Sequence, residues 1–137
     1  MTFPARVDKD GEKSLVQRAV AVEKDLRFVG LPVIRGGESW AGATTGASTF
    51  VVYYDTSADS SGGVFATWEP SAELKELFID SPQLALQRAI PLGSAALEAM
   101  TVALVEVLTA AGWETDRMNV GCHEASVRIL GRLTTTT

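Results

Sequence analysis

SAALEAMTVALVEVLTAA, residues 94–111, decides how the rest of this chain is read. Over these eighteen residues only Glu98 and Glu106 are charged, and after Ser94 only Thr101 and Thr109 otherwise interrupt the apolar run. At about 100° per residue, Leu97, Met100, Leu104, Leu108 and Ala111 form one stripe, while Val102, Val105 and Val107 put apolar surface on other sides. A helix of this composition is expected to be buried all round. A sheet would cover one side, and a second helix or a partner chain the other.

Upstream of it, Pro82 suits the first position of a short helix through Ile90, which Pro91 and Gly93 are expected to close. Ser71 is a candidate N-cap for a further helix that buries Leu74, Leu77 and Phe78. Before that lies the strongest β signal of the chain. TFVVYYD (49–55) and VFATW (64–68) are dense in β-branched and aromatic residues, and the turn-forming residues 57–63 between them predict an antiparallel hairpin. In the first of these strands Phe50, Val52 and Tyr54 share one face, with Val51 and Tyr53 on the other. Apolar bulk on both faces predicts an interior strand, with helices on one side and another layer or a subunit on the other.

Nearer the N-terminus, Leu15, Ala19, Val22 and Leu26 recur at helical spacing after Gly11, so a surface helix is expected to end by Phe28, ahead of Gly30 and Pro32. Residues 31–35 read as a short extended piece, 36–48 as a long Gly-rich loop interrupted by Trp40, and 3–7 as an edge strand. On the C-terminal side Gly112 is placed to stop the long helix and Trp113 to fold back on its last turn. Two more strands, 113–120 and 125–133, complete the pattern. The expected fold is one α+β domain over 1–137. Its mostly antiparallel sheet has about four or five strands, with the long helix packed on it and shorter helices flanking.

Composition bounds the rest. A chain of 137 residues with 46% hydrophobic content can bury one core. The single cysteine, Cys122, excludes an intrachain disulfide and fits a reducing compartment. The first residues lack the apolar core of a secretory signal, and Glu98 and Glu106 cut the best membrane-span candidate, so a cytoplasmic location is expected. Charge is uneven: residues 36–116 hold eleven acidic residues against two basic ones, Lys75 and Arg88. Such a field repels a phosphate backbone, which disfavours nucleic acid and leaves either a solvated acidic surface or a docking face for a basic protein.

Four features are candidates for chemistry. Gly121, Cys122, His123 and Glu124 bring together the only cysteine and the only histidine. A thiolate nucleophile needs a nearby base, but neighbours on extended chain point to opposite faces, so the alternative is a small buried cysteine beside a loop histidine. Zinc motifs need a second Cys or His pair, which is missing, so no metal is expected. Asp55, beside Tyr53 and Tyr54 at a strand end, is a candidate general acid or base, or a turn-forming residue bonding its own backbone. The glycines of 36–46 match no phosphate-loop pattern, and no cofactor is expected. Glu69, Glu73, Glu76 and Asp80 fall at spacings of four, three and four and read as an acidic helical ridge beside Trp40 and Trp68. Like charges so spaced repel, and a partner bearing Lys or Arg would relieve them.

The expected role is therefore a small non-catalytic partner-binding protein using an acidic surface: an immunity-type inhibitor, an adaptor or an assembly subunit. A homodimer would cover the surplus apolar surface. The alternative class is a small-molecule-binding protein or enzyme with a pocket between the sheet and the 36–48 loop, served by Asp55, Cys122 or His123.

Overall fold

In the computed structural model the described residues are 5–37, 47–58, 62–80, 83–117 and 126–133, the side chains of 77–80, 83–86, 88 and 89 excepted. Helix α1 (Lys9–Phe28) is followed by strands β1 (Val33–Gly37), β2 (Thr49–Asp55) and β3 (Gly63–Glu69). Helices α2 (Ala72–Asp80) and α3 (Gln83–Ala110) come next, then β4 (Trp113–Arg117) and β5 (Val127–Arg132). The strands form one five-stranded sheet in the order β1-β2-β3-β5-β4. This is an α+β fold, and its sheet is mixed: β1 runs parallel to β2 while the other three pairings are antiparallel.

The hairpin expected from 49–55 and 64–68 is present, with Phe50 opposite Trp68, Val52 opposite Ala66 and Tyr54 opposite Val64. Period-two alternation sorts its residues as the sequence implies. Phe50, Val52, Val64, Ala66 and Trp68 join Ala19, Val22 and Leu26 of α1 and Leu104 and Leu108 of α3 in the main core, together with Val127, Ile129 and Trp113. On the opposite face Val51, Tyr53 and Phe65 form a second buried cluster, with Ile34 packed against it. There the Tyr53 and Phe65 rings stack at 5.4 Å, and the Tyr53 hydroxyl lies 2.9 Å from Ser126 Oγ. A ring pair and a satisfied hydroxyl suit a strand that is buried on both faces.

Helix α1 starts two residues before Gly11 because cap chemistry rather than apolar spacing sets its first turn. Asp8 accepts the Gly11 N–H at 2.7 Å, and Asp10 and Glu12 place negative charge at the positive end of the helix. Its C-terminus is a Schellman motif: Gly30, at φ +88°, donates to Arg27 O and Leu31 donates to Leu26 O. The reversal folds Leu31 back onto the core beside Leu26 and leaves Phe28 and Val29 pointing outward. Only Arg6 remains of the expected 3–7 strand, as an isolated bridge to Ser57, and residues 1–4 lie outside the described residues.

The long helix departs from expectation in two ways. It is one helix of 28 residues running through Pro91 and Gly93, where two were expected. Proline removes one backbone donor and crowds the preceding turn, and here the helix continues past it. Its burial is also one-sided. Thr101, Leu104 and Leu108 are buried, whereas Leu92 is 63% exposed, Val102 40% and Met100 37%, with Ala95, Ala99, Ala103 and Ala110 exposed as well. The sheet, α1 and α2 all pack on α3, and the strip from Leu92 through Ala99 and Val102 to Ala110 stays exposed. By length and mean hydropathy the stretch Ile90–Ala110 is apolar enough to cross a membrane despite its two glutamates. Gly112, at φ +95°, ends the helix as expected, and β4 begins at Trp113.

Candidate functional site

The acidic ridge does not form as the spacing predicts. Glu69 ends β3 rather than standing on a helix; it is 6% exposed and its carboxylate accepts from Lys75 Nζ. The helix starts only at Ala72, because Ser71 caps it: Ser71 Oγ accepts the Leu74 N–H at 3.2 Å. Glu73 and Glu76 are exposed on α2, and Asp80 ends it. Trp68, expected as an exposed anchor, packs in the core at 9% exposure opposite Phe50. Trp40, the side chain of Asp80, Cys122 and His123 lie outside the described residues, as does most of the 36–48 loop and with it the expected pocket. Asp55 takes the turn role: its Oδ1 accepts the Ser57 N–H at 2.8 Å. Among the described residues no three of His, Cys, Asp and Glu gather as a metal site would require.

What the structure does assemble lies at the other end of the helices. The C-terminal turns of α1 and α3 run side by side and leave an open groove of about 370 Å³, lined by Asp25, Phe28, Val29, Val107, Ala110 and Ala111. The lining is apolar except for Asp25. Phe28 stands on the rim at 91% exposure and Val29 at 55%. Both follow from the Schellman turn, and Phe28 is also roughly 200° round the helix from Leu26, away from the core-facing stripe.

The floor is held from below by a polar cluster. Trp113 Nε1 donates to Asp25 Oδ2 at 2.8 Å, Arg132 Nη1 approaches the same oxygen at 3.5 Å, and the Arg132 guanidinium lies over the Trp113 ring at 3.9 Å. Arg132 also donates to Ala111 O at 3.0 Å, beside the last turn of α3. One arginine thus ties the ends of α3, β4 and β5 to α1, combining a cation–π contact with charge-assisted hydrogen bonds. With its carboxylate so engaged, Asp25 acts as a strut of the groove. A second tie lies one strand away, where Arg117 of β4 grips Glu98 of α3 with both nitrogens, at 2.7 and 3.1 Å. This bidentate pairing holds the Glu98 carboxyl below its ordinary value, first through the hydrogen bonds and then through the opposite charge, and raises Arg117 in turn.

Sequence reasoning passes over Phe28, Asp25, Arg132 and Arg117. Phe28 is legible there only as the last residue of a helix. The other three are charged residues whose partners lie far along the chain, 88 residues away for Asp25 and Trp113. Comparison with known proteins finds no matching family model, no matching curated protein and no matching solved structure.

Proposed function

We propose that this chain is a non-catalytic protein-binding module whose docking surface is the outward face of α3 together with the Phe28 end of α1. The observation that carries the reading is the one-sided burial of α3. Leu92, Ala95, Ala99, Val102, Ala103 and Ala110 face away from the core, and the strip runs down to the groove beside Phe28. A strip of about 20 residues is roughly 30 Å long and about 10 Å wide, several hundred Å² of mostly apolar surface. Monomers rarely expose contiguous apolar surface beyond a few hundred Å², and the largest such patch on a protein is often its interaction site. Among the described residues Glu106 is the unpaired charge beside this strip, the exposed Glu98 being held by Arg117, so the surface differs in kind from the acidic α2 with its exposed Glu73 and Glu76. An apolar docking face is therefore proposed ahead of the acidic one.

The test is a photo-cross-linking amino acid placed at Val102, with the same group at Glu73 as the comparison. Protein adducts from Val102, identified by mass spectrometry as one defined partner sequence, are the expected result. If Glu73 alone gives adducts, the acidic helix is the docking face; if neither does, the chain does not act through protein contacts on these surfaces.

A further inference from the structure

We infer that the occupant of this surface is a second copy of the same chain, with Phe28 of each protomer seated in its partner's groove. The inference rests on the docking-surface reading above and names the partner. A two-fold interface uses one patch on both sides, so that patch must contain both a projection and a receptacle for it. This one does. Phe28 is 91% exposed on the rim of a groove of about 370 Å³ whose walls are Val29, Val107, Ala110 and Ala111. An apolar cavity of about 150 Å³ is enough to take benzene, so a phenyl ring fits here with room for its backbone to approach.

The projection is also preorganised. Phe28 belongs to a helical turn closed by the Gly30 and Leu31 backbone hydrogen bonds, so ordering it on association costs little beyond its own rotamers. Charge agrees with a self-complementary patch. Lys24, one turn before Phe28, and Glu106, one turn before Ala110, are both exposed, and among the described residues neither has an ion-pair partner. Opposite charges at two edges of one patch are what a two-fold axis can bring together, whereas a partner of one sign would meet only one of them. The alanines at 95, 99 and 103 leave the outward side of α3 smooth, which lets helix axes approach to the close end of the usual 8–10 Å range. A lipid surface fits less well, because helices that lie in a membrane interface carry Lys or Arg on their polar face and Ile90–Ala110 carries none.

Sedimentation equilibrium on the wild type, Phe28→Asp and Phe28→Trp tests the inference, with far-UV circular dichroism to verify that each is folded. The wild type should be a dimer in the micromolar range, Phe28→Asp should weaken dimerisation by tenfold or more, that is by about 1.4 kcal/mol or more, and Phe28→Trp should remain dimeric. Ala110→Glu, a change on the exposed groove wall, should dissociate the dimer independently. A wild type that stays monomeric overturns the inference, as does a dimer indifferent to both Phe28→Asp and Ala110→Glu. Binding of the wild type to phosphatidylcholine vesicles in place of self-association overturns it as well. If the wild type is monomeric while the Val102 cross-linker still traps one defined foreign protein, the docking surface stands and only the second copy falls.

Discussion

Trp113 and Asp25 are joined by an indole hydrogen bond of 2.8 Å that ties the first residue of β4 to the last turns of α1. The two residues are 88 positions apart, and the contact closes the helical layer against the sheet edge. It also sets the floor of the groove, since Asp25 lines that groove and Arg132 stacks on the same indole.

Trp113→Phe keeps a ring under Arg132 and removes only the donor. The Asp25 carboxylate is partly exposed and still near Arg132, so it can recover water. The loss should be about 1–2 kcal/mol, at the lower end for a hydrogen bond to a charged group. Trp113→Ala removes the buried ring as well and should cost about 3–5 kcal/mol. Urea unfolding of the three proteins measures both steps.

The two sides of α3 should respond differently. Leu104→Ala empties a position that is 1% exposed and should destabilise by about 2–5 kcal/mol. Val102→Ala, at a position 40% exposed, should change the stability of the monomer by no more than about 0.5 kcal/mol. Equal effects in denaturant under monomeric conditions would show that the outward face is covered within one chain.

Lys75 is the partner of a carboxylate that the fold buries. Lys75→Met leaves Glu69 without that partner, and the cost should lie between the ~0–1 kcal/mol of an exposed pair and the ~3–5 kcal/mol of a buried one, because Lys75 itself is partly exposed. Adding Glu69→Gln to Lys75→Met should recover part of the loss. A double-mutant cycle in urea reads the coupling directly.

The Glu98–Arg117 pair predicts a pH dependence. The Glu98 carboxyl is lowered in the folded protein, so it binds fewer protons there than in the unfolded chain as pH falls. Its contribution is therefore fully present above the unfolded carboxylate value and is lost as pH drops through the lower folded value. Glu98→Gln should match the wild type at acid pH, where the wild-type carboxyl is itself protonated. Near neutrality it should lose the contribution, by a small amount because the pair is solvent-exposed, so that the acid limb flattens. Chemical denaturation at a series of pH values compares the two slopes.

Much of the fold is legible along the chain. The alternation in 49–55 identifies an interior strand with two apolar faces, because residues two apart share a face whatever the neighbouring strands are. The spacing of Leu15, Ala19, Val22 and Leu26 identifies the core side of α1, and three of those four are fully buried. The candidate site is less legible. Glu69 belongs to the acidic ridge only if the helix extends back to it, and the Ser71 cap begins the helix too late for that. Asp55 shows its turn role in the sequence because an Asx-turn is local, involving residues two apart.

The sequence by itself determined which residues are apolar and at what period they recur: these are properties of neighbours along the chain, and they set α1, the Ser71-capped start of α2, the β2–β3 hairpin and the two-sided β2. Tertiary structure alone decided the parallel pairing of β1 with β2, the insertion of β5 between β3 and β4, and how much of α3 is covered. A hydrophobic helix seeks cover on every side, but the sheet, α1 and α2 leave the strip through Ala99 and Val102 exposed. The alignment of two helix ends that makes a groove beside Phe28 is set by packing between segments some eighty residues apart.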